Sequence, residues 1–424
     1  MTFPSLLPVL VTQPQKPAIS REGCRLDVVV LLQAPPLAVT SRRAPVAIAV
    51  VIDRSGSMAG PKLEAACMAA QQLVRRLTSE DRVAVISFDQ AVATVVPLGP
   101  PGEEAVQRIA EIRSGGSTAL CEGWRQGKEA LRQAPGLEGH QRRVLLLTDG
   151  QANIGPRRSS EVAPLLGEAC EYGISTSCIG LGDDYDERLL TAMAEAGNGN
   201  LVHLTTPEQL ETVFSAELEG LQLTIGRGLQ LRLHAAAGVE LRRIHNPMTP
   251  DHEGWIAMGA LQAGSTASLA LELQIPALDW KDPECVVLLQ VQARWWDQDG
   301  QPQAVGGLLR LPLVEASAWE KLPGDPEVER EVALQQAARQ RRQAMQGIDR
   351  GDAAMGQAPI RAALESLQQL KGSADVEREK QLLGELLELL STDQLNLARK
   401  VMGTQAFMRA RGRKLRDSEG RDDD

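Results

Sequence analysis

The run Val46-Ala-Ile-Ala-Val-Val-Ile-Asp53-Arg54-Ser55-Gly56-Ser57-Met58-Ala-Gly60 sets an acid and two hydroxyls at alternating positions directly after an apolar segment. Three such oxygens can meet at one point only if the chain coils round it, and Gly56 and Gly60 are expected to relax the backbone there. Carboxylate and hydroxyl oxygens suit a hard cation such as Mg²⁺, Mn²⁺ or Ca²⁺, whereas zinc would want cysteine or histidine. Other segments fit chemistry less well. Gly180-Leu-Gly182 would need glycine and an uncrowded backbone where Asp183 and Tyr185 stand, so it makes a poor dinucleotide fingerprint. The stretch from Gly56 to Lys62 lacks P-loop spacing, and Pro61 removes an amide that a phosphate would use. Asp297-Gln298-Asp299-Gly300 begins like a calcium loop but lies between β-like runs and lacks the later Glu, so a hairpin turn is expected. His140, His203, His234, His245 and His252 are scattered, without an HExxH pair or a cysteine at ligand spacing. Ser55 and Ser57 have no histidine near them in sequence and no G-x-S-x-G elbow. The expectation is a binding protein rather than an enzyme.

The elements that must hold these oxygens can be read around them. From Pro45 to Leu221 short β-branched runs alternate with amphipathic stretches, the pattern of a parallel sheet with crossover helices. Strands are expected at Val46–Ile52, Arg82–Phe88, Val144–Thr148, Ser175–Gly180 and Asn200–His203. Leu63, Ala66, Cys67, Ala70, Leu73, Val74 and Leu77 recur at helical spacing, and Pro61 sits in the first turn, where its missing N–H costs nothing. Ala91–Val96 follows Phe88 too closely for a crossover and so reads as an antiparallel edge strand. In a doubly wound sheet, ligands gather beyond the carboxyl ends of the strands at the topological switch point, and Asp53 stands at such an end.

On these residues the segment resembles the von Willebrand factor type A domain family, whose metal-ion-dependent adhesion site reads D-x-S-x-S, then a distant Thr, then a distant Asp. Asp53, Ser55 and Ser57 match the first element. Thr118 in Ser114-Gly-Gly-Ser-Thr118 matches the Thr, and Asp149 in Leu145-Leu-Leu-Thr148-Asp149-Gly150 matches the Asp. The run from Ile179 to Leu190 is similar to bacterial members. The resemblance implies direct coordination by Ser55, Ser57 and sometimes Thr118, with Asp53 and Asp149 acting through bound water. It also implies one position left to water, which an Asp or Glu carboxylate of a partner protein can take. The implied function is a metal-dependent protein-binding module with Mg²⁺ (or Mn²⁺/Ca²⁺) as cofactor. The alternative is a regulatory subunit of a chelatase-like or ATPase-associated enzyme complex, its motor being a separate polypeptide.

Both flanks read differently. Arg25–Leu32 before the block, and Leu221–Leu233, Val239–Ile244, Trp255–Leu261, Ser268–Ile275, Val286–Trp296 and Gly307–Val314 after it, are β-like runs separated by turn residues. The expected fold class is therefore α/β: a doubly wound, mostly parallel, Rossmann-like sheet inserted into a β-sandwich and followed by an α-helical C-terminal region. The expected partition is 1–44 (a sandwich strand), 45–221 (the α/β domain), 222–316 (the sandwich), 325–408 (helical) and 409–424 (a disordered tail). Helices are expected at Val328–Ile348, Ala353–Leu370, Asp375–Leu390 and Asp393–Met408, with a hint of one helix-hairpin repeat. A net charge of -10 and only 3% aromatic residues leave little for nucleic acid to bind. The six well-separated cysteines read as reduced, mostly buried thiols. Without a basic leader or a run of about eighteen apolar residues, no signal or membrane span is expected, and the default compartment is cytoplasmic.

Overall fold

Val46–Asp53 is buried along its whole length, as a strand covered on both faces must be. A computed structural model describes residues 7–36, 43–277, 285–349, 353–370, 372–392, 395 and 398. The chain divides into two units, one built on Ala38–Arg227 with Asp297–Gln301, the other on the flanking segments.

The flanks begin with β1 (Val9–Pro14), β2 (Ile19–Ser20) and β3 (Cys24–Gln33). The α/β unit follows as β4 (Val46–Asp53), α1 (Pro61–Arg76), β5 (Arg82–Phe88), β6 (Val92–Gly99), α2 (Glu103–Ala110), α3 (Leu120–Gln133), β7 (Gln141–Thr148), α4 (Ser159–Glu171), β8 (Ile174–Leu181), α5 (Glu187–Ala196), β9 (Asn198–Leu204) and α6 (Leu210–Gln222). Its sheet has the order β6-β5-β4-β7-β8-β9. Every neighbouring pair is parallel except β5 with β6, the reversed edge expected from the short connection. The fold class is thus mixed α/β with a central, mostly parallel sheet.

Alternation along β4 divides the core. Ile48, Val50 and Ile52 pack with Leu63, Ala66, Ala70 and Leu73 of α1 and with Phe214 and Leu218 of α6. The other face meets α3, where a Cβ on Gly127 would come within 2.7 Å of Val51 and one on Gly123 within 2.6 Å of Phe88. Because the chain leaves β4 toward β5 and β6 and later returns on the opposite side as β7, the switch point lies between β4 and β7.

The second unit continues with β10 (Thr224–Ala235), β11 (Glu240–Ile244), β12 (Trp255–Gln262), β13 (Thr266–Ile275), β14 (Val286–Asp297), β15 (Pro302–Leu311) and β16 (Leu313–Val314). Two four-stranded sheets form, in the orders β1-β3-β13-β11 and β12-β10-β14-β15, and β16 runs parallel to β2. β3 pairs antiparallel with β13 from Cys24↔Ile275 to Gln33↔Thr266, so two strands far apart in sequence share ten residues of ladder. Helices α7 (Ala316–Lys321), α8 (Pro326–Asp349), α9 (Ala353–Gln368) and α10 (Ala374–Ser391) complete the described chain. Leu334, Ile348, Ile360, Leu367, Leu383 and Leu386 form a core among α8, α9 and α10, while Val328 and Val332 of α8 pack on Val29 and Ala270 of the first sheet.

Some expectations need correction. Leu221 does not begin a strand: α6 runs through it, because Leu210, Phe214, Leu218 and Leu221 repeat at helical spacing and are all buried. The proline-rich start contains β1, an edge strand that tolerates Pro14. The fourth helix, Asp393–Met408, and the tail 409–424 lie outside the described residues apart from Leu395 and Ala398. The cysteines are free and four of the six are buried, but Cys285 is exposed.

Candidate metal centre

Asp53 ends β4 and Asp149 follows β7, so the two acids stand side by side at the switch point, both fully buried. Beyond Asp53 the chain coils at once. The Ser55 N–H donates to Asp53 Oδ1 at 2.8 Å, and Gly56–Met58 make one 3-10 turn. Gly60 then adopts a φ of 80° before Pro61 opens α1. Gly56 departs from the expectation, since its φ is not positive; its amide instead donates to the Gly116 carbonyl at 3.0 Å.

Ser55 Oγ lies 3.2 Å from Ser57 Oγ, which donates to Asp149 Oδ1 at 2.6 Å. Thr118, 3% exposed, reaches the same place from the loop before α3. That loop is tied down by Gly115 N–H donating to the Arg54 carbonyl at 2.7 Å. A Cβ on Gly150 would sit 3.6 Å from both Ser57 Oγ and Thr118 Oγ1, which places the two hydroxyls beside the same point. The structure thereby brings Asp53, Ser55, Ser57, Thr118 and Asp149 together in one small cradle of oxygen atoms.

Four neighbours had not been singled out for this role. Thr148 Oγ1 donates to Asp53 Oδ2 at 2.6 Å and so fixes that carboxylate. Lys62 Nζ lies 2.6 Å from Asp149 Oδ2. A lysine in the first turn of a helix faces the positive end of the dipole, so Asp149 is what makes the position tolerable. Asp89 accepts from the Gly116 and Ala91 amides and pairs with the Arg54 guanidinium at 3.3 Å, holding the Thr118 loop against the sheet. A side chain on Gly115 would overlap the Asp89 carboxylate. Nothing local in the sequence pairs Lys62 with Asp149 or Arg54 with Asp89; only the fold brings each cation to its acid.

The electrostatics fit a cation. Burial pushes the Asp53 carboxyl above its usual range, the Thr148 and Ser55 hydrogen bonds oppose this, and the nearby Asp149 charge adds to it. Burial alone would also raise Asp89, but the Ala91 and Gly116 amides and Arg54 more than offset it and hold that carboxyl low. Asp53 and Asp149 are two buried acids, of which Asp149 alone is paired with an ammonium, that of Lys62, and the ligand atoms around them are all oxygen. That set suits Mg²⁺ or Mn²⁺.

Residues 47–216 match the family model described as the von Willebrand factor type A domain. An uncharacterized protein of Synechocystis sp. is 31% identical over 170 residues, 40% of this chain and 40% of that protein. The chain spans less than half the length of the curated relatives it first matches. Among solved structures, von Willebrand factor type A from Catenulispora acidiphila is similar with a TM-score of 0.70 at 18% identity, over 94% of this chain and 97% of that one. The ArnB paralog VWA2 from Sulfolobus acidocaldarius gives 0.63 at 18% identity, over 94% and 99%. At such identity the likeness is one of fold, and its span takes in the flanking sheets and helices as well as the α/β unit. Sequence match, strand order and fold likeness together make residues 47–216 a von Willebrand factor type A domain set within a longer chain.

Proposed function

We propose that this chain is a metal-dependent protein-binding module in which Asp53, Ser55, Ser57, Thr118 and Asp149 hold a divalent cation, Mg²⁺ or Mn²⁺. The observation that carries the reading is the convergence of two fully buried carboxylates and three hydroxyls from three separate loops at the switch point. When bound, such a cation offers an incompletely neutralised position to a carboxylate, because most of its protein ligands are neutral hydroxyls. The chain's own part is to fix the donors. Thr148 orients Asp53, Ser57 and Lys62 orient Asp149, and Asp89 with Arg54 holds the Thr118 loop. The partner supplies an Asp or Glu, and no covalent bond is made or broken, so the module binds rather than catalyses.

Calorimetry with Mn²⁺ tests the metal step: one site of modest affinity in the wild type, and no comparable site in Asp53→Ala. Partner capture from a native lysate with Mg²⁺ or with EDTA, repeated with Thr118→Ala, tests the recognition step. Loss of one member of a desolvated carboxylate–cation pair costs about 2–5 kcal/mol, roughly thirty- to several-thousand-fold in affinity. Partner binding that survives both EDTA and Thr118→Ala would move recognition to another surface.

A further inference from the structure

The flanking unit brings together another set of donors of a different kind. Asp27 on β3 stands directly opposite Glu272 on β13. β11 pairs with the far side of β13, and just beyond it the His245 backbone N–H donates to the Ala270 carbonyl at 2.8 Å, while the ring reaches β3. His245 Nε2 then lies 3.1 Å from Asp27 Oδ1, and one donor atom from each of Asp27, His245 and Glu272 falls within 4.8 Å of the others.

We propose that Asp27, His245 and Glu272 form a second cation site, one that takes zinc rather than magnesium. Like charges directly opposed across an antiparallel ladder repel; the Arg242 guanidinium lies 3.6 Å from Glu272, and Arg243 is paired with Glu272 on the β11 side of the ladder. A cation between the two carboxylates removes that repulsion. His245 is packed at 1% side-chain exposure, while Asp27 keeps 27% and Glu272 22%, so the nitrogen is held rigidly and the oxygens face a path from solvent. Gln336 on α8 lies 3.4 Å from His245 Nδ1. With the Gln336 amide N–H donating to Nδ1, a neutral ring carries its proton on Nε2 and donates it to Asp27. A half-turn of that amide exchanges two atoms of similar size and presents Oε1 to an Nδ1–H, freeing the Nε2 lone pair without gain or loss of a proton. A hydrogen bond to the outer ring nitrogen is the support that metal-ligating histidines use.

One imidazole and two carboxylates make an intermediate donor set that favours zinc, with a fourth position left to water, whereas the oxygen-only cradle at Asp53 favours magnesium. Asp27 and His245 are 218 residues apart. A cation there ties the strand that precedes the α/β unit to strands that follow it, and it binds only the folded chain, so it raises the melting temperature.

The test uses the full chain carrying Asp53→Ala and Cys285→Ser, which removes the first cradle and the exposed thiol. Titrated with Zn²⁺ in excess Mg²⁺, this protein is expected to take up one zinc per chain and to melt at a higher temperature with zinc than without. Glu272→Gln and Asp27→Asn, each nearly isosteric and partly exposed, are expected to weaken zinc binding by about tenfold or more and to abolish the thermal shift, and Gln336→Ala by about tenfold. No zinc uptake in the parent, or uptake that Glu272→Gln and Asp27→Asn leave unchanged, overturns the proposal and makes the cluster a hydrogen-bonded tie alone.

Discussion

At the scale of single residues, Lys62 decides how strongly Asp149 is available to a cation. Its ammonium sits 2.6 Å from a buried carboxylate oxygen, and the lysine side chain is a third exposed. It therefore acts as a resident competitor of moderate strength. Lys62→Met is expected to tighten Mn²⁺ binding about two- to fivefold, the worth of a partly exposed ion pair; equal or weaker binding in that variant would show that Lys62 orients Asp149 more than it competes. A second residue-scale effect concerns Asp81. Burial would raise its carboxyl, but the Arg43 guanidinium and the Thr78 and Val46 amides more than offset that and hold it down to about 2. An unfolded aspartate titrates near pH ~4. The folded value is the lower one, so the stabilisation is fully present above pH ~4 and is lost as pH falls toward 2. Asp81→Asn is expected to lower stability by about 2 kcal/mol at neutral pH, and urea titrations should find the gap between variant and wild type closing below pH ~4.

At the scale of elements, the cradle depends on how closely α3 approaches the sheet, because Thr118 stands at the entrance to that helix. Gly123 and Gly127 lie one helical turn apart on the face toward β4 and β5. With the helix in place, a Cβ at either position runs into Phe88 or Val51, both fully buried, so α3 must shift outward. Gly127→Val is expected to cost about 1–3 kcal/mol, as overpacking does, and also to weaken Mn²⁺ binding through the displaced Thr118 loop. Thermal melts and calorimetry on the same preparation separate the two consequences. A variant that loses stability but binds Mn²⁺ as the wild type does would uncouple α3 from the cradle.

At the scale of the whole molecule, the two units carry their own cores and ladders. Pro45–Leu221 contains every strand of the six-stranded sheet, so a fragment of those residues is expected to unfold cooperatively by itself. The flanking unit is different, since β3 lies between β1 and β13 and contributes a ladder of ten residues to the latter. A fragment of Leu221–Val314 lacks that strand, leaves β13 with an open edge, and is expected to aggregate or to melt without a cooperative transition. A cooperative, monomeric transition in that fragment would show that β3 is dispensable.

The sequence by itself determined what is local. Seven consecutive apolar residues, Val46–Ile52, followed by Asp53 specify a buried strand, and Asp53, Ser55 and Ser57 fall within one tight coil that a short stretch of chain can close. The parallel sheet and its reversed edge were legible for the same reason, since periodicity and connection length are properties of neighbouring residues. The helical spacing of Leu210, Phe214, Leu218 and Leu221 was equally present, but the apolar run after it masked where the helix stopped. Thr118 and Asp149 were legible only through the family pattern, because their distance from Asp53 along the chain says nothing about distance in space. Tertiary structure alone decided the partnerships of Lys62 with Asp149, Thr148 with Asp53 and His245 with Asp27 and Glu272. Those depend on which strand ends the sheet order sets side by side, and sheet order is fixed by packing of the whole chain, not by the residues it brings together.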